Sequence, residues 1–293
     1  MADNHYCIIS LDGLGEAAKL LIEKVSNAVG WVITRDTPMK IAMQSFIEDV
    51  KKSDLDPISK AALISNANTI VKEYSNQAAI LQKALISIQD NAKPDLVEDD
   101  WISQFMDKAR LISDSEFQVI WGRILAEECN RPGCIPRSLL HTLEQMDRFD
   151  AEQFTLLCSF SIYTIDNDGK AYSPIIIWKH MEELYEKKGI SFDGLVNLKA
   201  LGLIDTSIGK LNPEYTSQYN VFPSDIHYFD KSYQPLENMN QIPVGNVIFT
   251  KTGQALCQVI ETKGHENFVE EYCIPYWKTR IKQLSSSKMK QGE

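Results

Sequence analysis

Apolar residues return every three to four positions in one segment of the chain after another. That is the period of an amphipathic α-helix rather than of a strand. From Leu11 to Ile33 the recurring positions are Leu14, Ala18, Leu21, Val25, Ala28 or Val29, and Val32, with Glu16, Lys19, Glu23, Lys24 and Asn27 largely off the stripe. The polar face mixes charge signs, whereas a helix lying on a membrane usually presents a cationic one. Three destinations stay open for this stripe: the protein's own core, another subunit, or a membrane surface. Thr37 and Pro38 then supply a cap and a first-turn proline, predicting a helix to about Lys52. Asp56 and Pro57 repeat the device, and no breaker follows until Asn91 to Pro94. Within that span Ile64, Ala67, Val71, Tyr74, Ala78, Leu81, Leu85 and Ile88 alternate steps of three and four, a heptad seam. Helices this long rarely stay single. The seam closes either as a hairpin inside the chain or on the same helix of a second subunit.

Beyond Pro94, Trp101, Phe105, Ala109 and Ile112 mark a further helix. Ser113-Asp114-Ser115-Glu116 fits a capping box, with Ser113 as the cap and Glu116 reaching back. The helix it opens carries Phe117, Ile120, Trp121, Ile124 and Leu125 inward and leaves through the turn-rich run Asn130 to Gly133. A helix from about Pro136 buries Leu139, Leu140, Leu143 and Met146, and Asp150 caps a fourth that holds Phe154. From Ile162 the texture changes. Asn167-Asp168-Gly169 between β-prone runs predicts a hairpin. One helix then ends at Gly189, and another places Leu195, Leu198 and Leu201 on one face before Gly202 and a short strand, Leu203 to Asp205. Residues 212–243 read as an aromatic-rich loop, VGNVIFT as a strand, Lys251 to Glu261 as a helix, and Asn267 to Leu284 as the last helix. The fold class is mainly α, with an N-terminal helical domain built on the long heptad helix and a C-terminal α+β domain. The expected divisions are 1–95, 96–161 and 162–293. Leu201-Gly202-Leu203-Ile204, then a hairpin, then Thr250-Lys251-Thr252-Gly253 resembles a winged-helix module.

Charge narrows the function classes. The 293 residues hold 40 acidic against 30 basic side chains, a net charge of −10, which repels a phosphate backbone. Basic residues gather only near the end, at Lys278, Arg280, Lys282, Lys288 and Lys290. Lys199 and Lys210, near the presumed recognition helix, are the candidate nucleic-acid contacts. The six cysteines form no secreted framework. No leader segment and no run of about 18 apolar residues occurs, so a reduced, cytoplasmic protein is expected. Cys129, Cys134 and His141 lack the second close pair that structural zinc requires. The five histidines show no ligand spacing, and Glu127 and Glu128, adjacent on a helix, point about 100° apart and cannot face each other as acid and base. Glu128 lies near the apolar stripe, where bonding a nearby backbone N–H or an arginine is its expected role. The residues predict no cofactor, metal or catalytic group, and no small-molecule substrate. A single sequence leaves open a site assembled from distant residues.

One set of short motifs carries a resemblance: Ala28-Val29-Gly30-Trp31 followed by Pro38; Trp121, Ile124, Leu125, Ala126 and Glu128 followed by Pro132-Gly133; Ser138-Leu139 with Leu143; and Asp150-Ala151 with Phe154. In this order they are similar to a bacterial family of uncharacterised proteins related to the abortive-infection protein alpha family. The resemblance covers roughly residues 10–160. It implies a mostly helical protein connected with phage resistance and carries over no catalytic residue. The function expected is a non-enzymatic interaction or sensor protein of an anti-phage system, a homo-oligomer or partner-bound. The alternatives are a winged-helix DNA-binding regulator with a helical oligomerisation arm and a peripheral membrane effector. Leu14, Leu21, Val25, Trp31, Val71, Tyr74, Leu81, Leu85, Trp121, Glu128 and Phe154 are the expected structural or interaction residues.

Overall fold

The structure, a computed structural model, describes residues 13–30, 38–166, 171–172, 182–206, 219–221, 223–235, 242–245, 247–277 and 281–283. The chain divides into two compact units, Met1–Leu140 and His141–Glu293, the division falling inside a helix. The first unit runs α1 (Glu16–Val29), α2 (Pro38–Lys52), α3 (Pro57–Ser87), a 3-10 turn (Pro94–Leu96), α4 (Asp99–Ala109), α5 (Ser115–Asn130) and the start of α6 (Arg137–Gln145).

Several helices begin where a side chain takes orphan N–H groups of the first turn, α3 and α5 among them, whereas α1 and α4 start without a side-chain cap. The Asp56 carboxylate accepts from Ile58 N at 3.0 Å and Ser59 N at 3.1 Å, with Pro57 in the first turn of α3. The cap of α5 is Asp114, not Ser113: its carboxylate accepts from Glu116 N at 2.9 Å and Phe117 N at 3.0 Å. The helix starts one residue later than the Ser113 reading requires, and the carboxylate reaches two N–H groups where a hydroxyl reaches one. α1 ends at Gly30, whose φ of 73° returns its N–H to Ser26 O at 3.0 Å.

The α1 stripe of Ala17, Ala18, Leu21, Ile22 and Val25 is buried, and α1 packs on α4 and on the 3-10 turn. The stripe therefore goes to the protein's own core. α3 forms a hairpin with α2 and packs along α5 further down. Of the heptad seam, only Ala67 and Leu81 are fully buried; Val71, Tyr74, Ala78 and Leu85 are half-buried. The buried set is Asn76, Gln77, Ile80, Leu81 and Ala84, because α4 and α5 approach α3 from a different side than α2 does. The two amides have a task there. Asn76 Nδ2 donates to Arg110 O at 2.8 Å and Gln77 Nε2 to Met106 O at 3.0 Å, which satisfies carbonyls at the end of α4. Gly122 sets the approach of α5: a Cβ there would stand 2.6 Å from Lys83 Cβ and 3.0 Å from Ala84 N.

The second unit continues with α7 (Arg148–Cys158), β1 (Tyr163–Asp166), β2 (Ala171–Tyr172), α8 (Glu182–Lys187), α9 (Phe192–Ala200), β3 (Ile204–Asp205), β4 (Tyr219–Val221), β5 (Pro223–Tyr228), β6 (Lys231–Pro235), β7 (Ile242–Gly245), β8 (Ile248–Phe249), α10 (Lys251–Val259), a π turn (Val269–Cys273), α11 (Ile274–Trp277) and β9 (Ile281–Gln283). α7 opens on a capping box in which Asp147 is the cap and Asp150 its partner, not the cap: Asp150 N reaches Asp147 Oδ1 at 2.9 Å and Asp147 N reaches Asp150 Oδ2 at 3.2 Å.

The strands form an antiparallel sheet of order β2-β1-β5-β6-β9 and two small pairs, β3–β8 and β4–β7. Much of the expected loop 212–243 is thus strand. β5 and β6 are joined by two residues, Phe229 and Asp230, with Phe229 at φ 53°. That turn normally announces itself by Asn-Gly or Asp-Gly, and here neither is present. The expected helix 267–284 breaks into the π turn, α11 and β9, whose Gln283 pairs with Tyr233. Pro275 lies where a continuing helix needs an N–H.

The motifs Leu-Gly-Leu-Ile and Thr-x-x-Gly meet. β3 pairs with β8 in the register Ile204↔Phe249. The Thr250 hydroxyl donates to Gly202 O at 2.6 Å and accepts from Gly253 N at 3.1 Å, capping α10. A Cβ on Gly253 would lie 2.0 Å from Leu203 O, so only glycine fits against that carbonyl.

Candidate functional site

The exit of α5 brings together the carboxylates and cysteines that stand out in the sequence. Glu128 is buried, and both its oxygens are occupied: Oε1 accepts from Gly133 N at 2.6 Å and Oε2 from Ile135 N at 2.8 Å. Trp101 Nε1 donates to Ile135 O at 3.2 Å and pins the far side of the same turn. Burial raises the Glu128 carboxyl above its ordinary range, partly offset by those two N–H bonds. Burial likewise pushes the Cys129 thiol up to about 12 and the Cys134 thiol to about 11. Both stay protonated at neutral pH, a poor state for a nucleophile or a metal ligand. Among the described residues no group of three or more His, Cys, Asp and Glu is placed to hold a metal ion. This constellation holds a turn.

A groove of about 300 Å³ opens between α1, α3 and α4, lined by Val29, Ile70, Tyr74, Met106 and the ionic trio of Glu73, Asp107 and Arg110. Arg110 Nη1 meets Glu73 at 2.5 Å and Arg110 Nε meets Asp107 at 2.9 Å. The guanidinium spends its charge on two carboxylates of its own unit, which leaves the groove little pull on an anion.

In the second unit a serine and a histidine come within reach. The Ser159 hydroxyl donates to Leu156 O at 2.6 Å, so its oxygen accepts from His265 Nε2 at 2.8 Å and the ring proton is assigned to Nε2. A general base needs the opposite polarity, with a bare nitrogen facing the hydroxyl proton. Tyr228 completes the frame, donating to Ser159 O at 2.8 Å and accepting from His265 N at 2.7 Å. Burial, with Lys188 nearby, lowers the His265 pKa, so the ring is neutral at pH 7. Beside it Glu270 accepts from Lys231 at 2.9 Å and Tyr233 at 2.7 Å. Burial raises its carboxyl, but those bonds outweigh it and the net shift is downward.

Uncovered apolar surface lies elsewhere. On the hairpin arm of α2 and the first half of α3, Ile41 is 66% exposed and Ile58 82%, with Phe46, Leu55 and Leu63 also in solvent. On α9, Phe192 (78% exposed) and Val196 stand one turn apart on the outer face. Lys199, the expected phosphate contact on that helix, donates to Thr206 Oγ1 at 2.8 Å and lies 3.8 Å from Asp205. Trp31 and Lys210 lie outside the described residues. Of the other residues singled out in the sequence, Leu21, Val25, Leu81, Trp121, Glu128 and Phe154 are buried, and Leu14, Val71, Tyr74 and Leu85 half-buried. Trp121 packs on Phe105, and Phe154 on Phe249. The arm residues escape a reading that hunts for apolar stripes, because Ile58 follows the first-turn proline, Pro57, among small residues, Ala61, Ala62 and Ser65. Among the described residues no helix is long and apolar enough to cross a membrane.

No curated protein and no solved structure matches the chain. A family model described as protein of unknown function (DUF2806) matches residues 66–273, most of the chain, from within α3 to the π turn. The chain belongs to that family of proteins of unknown function, DUF2806.

Proposed function

We propose that the protein is a non-enzymatic interaction or sensor component of a bacterial, cytoplasmic anti-phage system of the abortive-infection kind, assembling through its helices. A winged-helix-like module around α8, α9, β3, β8 and α10 is the part of the second unit that meets a partner. The observation that carries this reading is the distribution of uncovered groups. Apolar side chains stand in solvent on the arm and on α9, the kind of surface that marks interaction sites. The polar clusters at Glu128 and Ser159–His265 are engaged in holding the fold, as is one carboxylate oxygen of Glu270, its other oxygen being buried without a hydrogen-bond partner. The apolar face of α1, the element a membrane reading needs, is buried on α4.

The test is phage plating on cells that express the chain, beside Phe192→Glu and Ile58→Glu variants matched for expression. Wild-type protection that falls with either substitution is the expected result. Stable wild-type expression with undiminished plaques would overturn the defence assignment. A DNA-binding regulator is the second reading, favoured by the order helix–turn–helix–strand from α8 to β3. Its signature is binding to duplex DNA that weakens steeply with salt. The bonds of Lys199 to its own unit and the net charge of −10 weigh against it.

A further inference from the structure

We infer that the α2–α3 arm is closed by the same arm of a second copy of this chain. The inference rests on the interaction reading above and names the partner of one of its surfaces. Among the described side chains from 40 to 69, only Val50 and Ala67 are buried. A helix hairpin with two buried side chains has one thin seam, whereas stable helical arms close a core between three or four helices.

The surface awaiting cover has the register of one already used. On α3 the positions 58, 62, 65, 69, 76 and 80 follow steps of three, four or seven and so share one stripe. From Asn76 onward α4 and α5 cover it, while Ile58, Ala62, Ser65 and Thr69 stand bare. The stripe that receives a helix in its second half offers the same register, without a helix, in its first.

Charge selects the occupant. Residues 38–69 hold Lys40, Lys51, Lys52 and Lys60 against Glu48, Asp49, Asp54 and Asp56, four of each sign, in a chain of net charge −10. Two copies of an acidic chain repel each other least where each presents a neutral surface. A two-fold contact sets a patch against its own copy, and an arm with equal numbers of both signs meets its copy without net repulsion. Its 13 residues of α3 rise about 20 Å. Two helices wide, that is a footprint near the lower end of specific interfaces, so the dimer should dissociate on dilution.

Sedimentation velocity of the full chain, from roughly 1 to 100 μM, tests this. The expected result is a monomer–dimer equilibrium whose Kd rises about tenfold or more in Ile58→Glu, with an unchanged melting temperature, and is unmoved in Phe192→Glu. A second variant, Lys51→Glu with Lys52→Glu, makes the arm acidic and should weaken the dimer at low salt, with recovery at high salt. A wild-type monomer throughout that range, or a dimer indifferent to both arm variants, overturns the inference. A monomeric wild type whose phage protection still depends on Ile58 overturns the second-copy inference alone and leaves the interaction reading standing. An arm-dependent dimer without protection supports the inference and removes the defence reading.

Discussion

Gly122→Ala sets two physical effects against each other, and the structure decides the sign. In an exposed helix the change should stabilise, since alanine is about 1 kcal/mol more helix-favouring than glycine. At Gly122 the new methyl would meet Lys83 Cβ at 2.6 Å and the α3 backbone at 3.0 Å. Those atoms belong to the main chain and the root of a side chain, so they yield only if α3 and α5 move apart. Separation loosens the contact that buries Ile80, Leu81 and Ala84 on α3 and Ile124 and Leu125 on α5. Overpacking of this kind costs about 1–3 kcal/mol, and with backbone as the obstacle the upper part of that range applies. After the gain in helix propensity the net loss is about 1–2 kcal/mol. For a unit of this size that lowers Tm by about 3–6 °C. Scanning calorimetry reads it directly, with Gly133→Ala as the control. Gly133 has φ 84° and nothing within 4 Å of its would-be Cβ, so its cost of about 1 kcal/mol is backbone strain alone. A Gly122→Ala protein as stable as the wild type, or more so, would refute the close approach of α5 to α3.

Three further outcomes follow from the same geometry. Trp121→Ala removes a fully buried indole that packs at a tilt against Phe105 and should cost about 3–5 kcal/mol by urea titration; a change under about 1 kcal/mol would place the ring outside the core. Glu128→Gln should destabilise by about 1–3 kcal/mol, since an amide cannot accept from both Gly133 N and Ile135 N. Because burial raises the folded-state carboxyl above its ordinary value, the wild type carries a penalty at neutral pH that is relieved as pH falls through the folded pKa. The stability gap between wild type and Glu128→Gln should therefore widen from pH 7 toward about pH 5, and a gap that narrows contradicts the direction of the shift. Site-resolved thiol labelling of the native protein should tag the half-buried Cys134 and Cys257 before Cys129, which is fully buried and whose thiol burial pushes up to about 12. Early tagging of Cys129 would sink that ranking.

Helices were legible in the sequence because their period and caps are local. Pro57 behind Asp56 announces α3, and Trp101, Phe105 and Ala109 announce the buried side of α4. What escaped depends on atoms far away in the chain. The Ser113 and Asp150 assignments miss by a few residues, since several acceptors in a row satisfy the same pattern and only geometry picks Asp114 and Asp147. β5 and β6 were hidden because Phe229 adopts the left-handed conformation without glycine or asparagine to signal it. The polar frame of Ser159, Tyr228 and His265 spans 106 positions from first residue to last, and no spacing rule reaches that far.

The arm shows most plainly what a periodic pattern does and does not contain. The heptad seam of α3 is real as a pattern, and it predicts a helix that the structure contains. A seam says nothing about which neighbours arrive, or over what length. α4 and α5 reach α3 only in its second half, from about Glu73 onward, and from another side, so the buried stripe is rotated away from the seam. The first half of α3 nonetheless stays helical, for a reason also local to helices. Nucleation is the costly step, and the clamped second half has already supplied the nucleus, so each further turn adds its hydrogen bonds without a new nucleation cost. The Asp56 cap then satisfies the free end. A helix extended past its support in this way can present apolar side chains to solvent without unfolding, which is what a surface held ready for a partner requires.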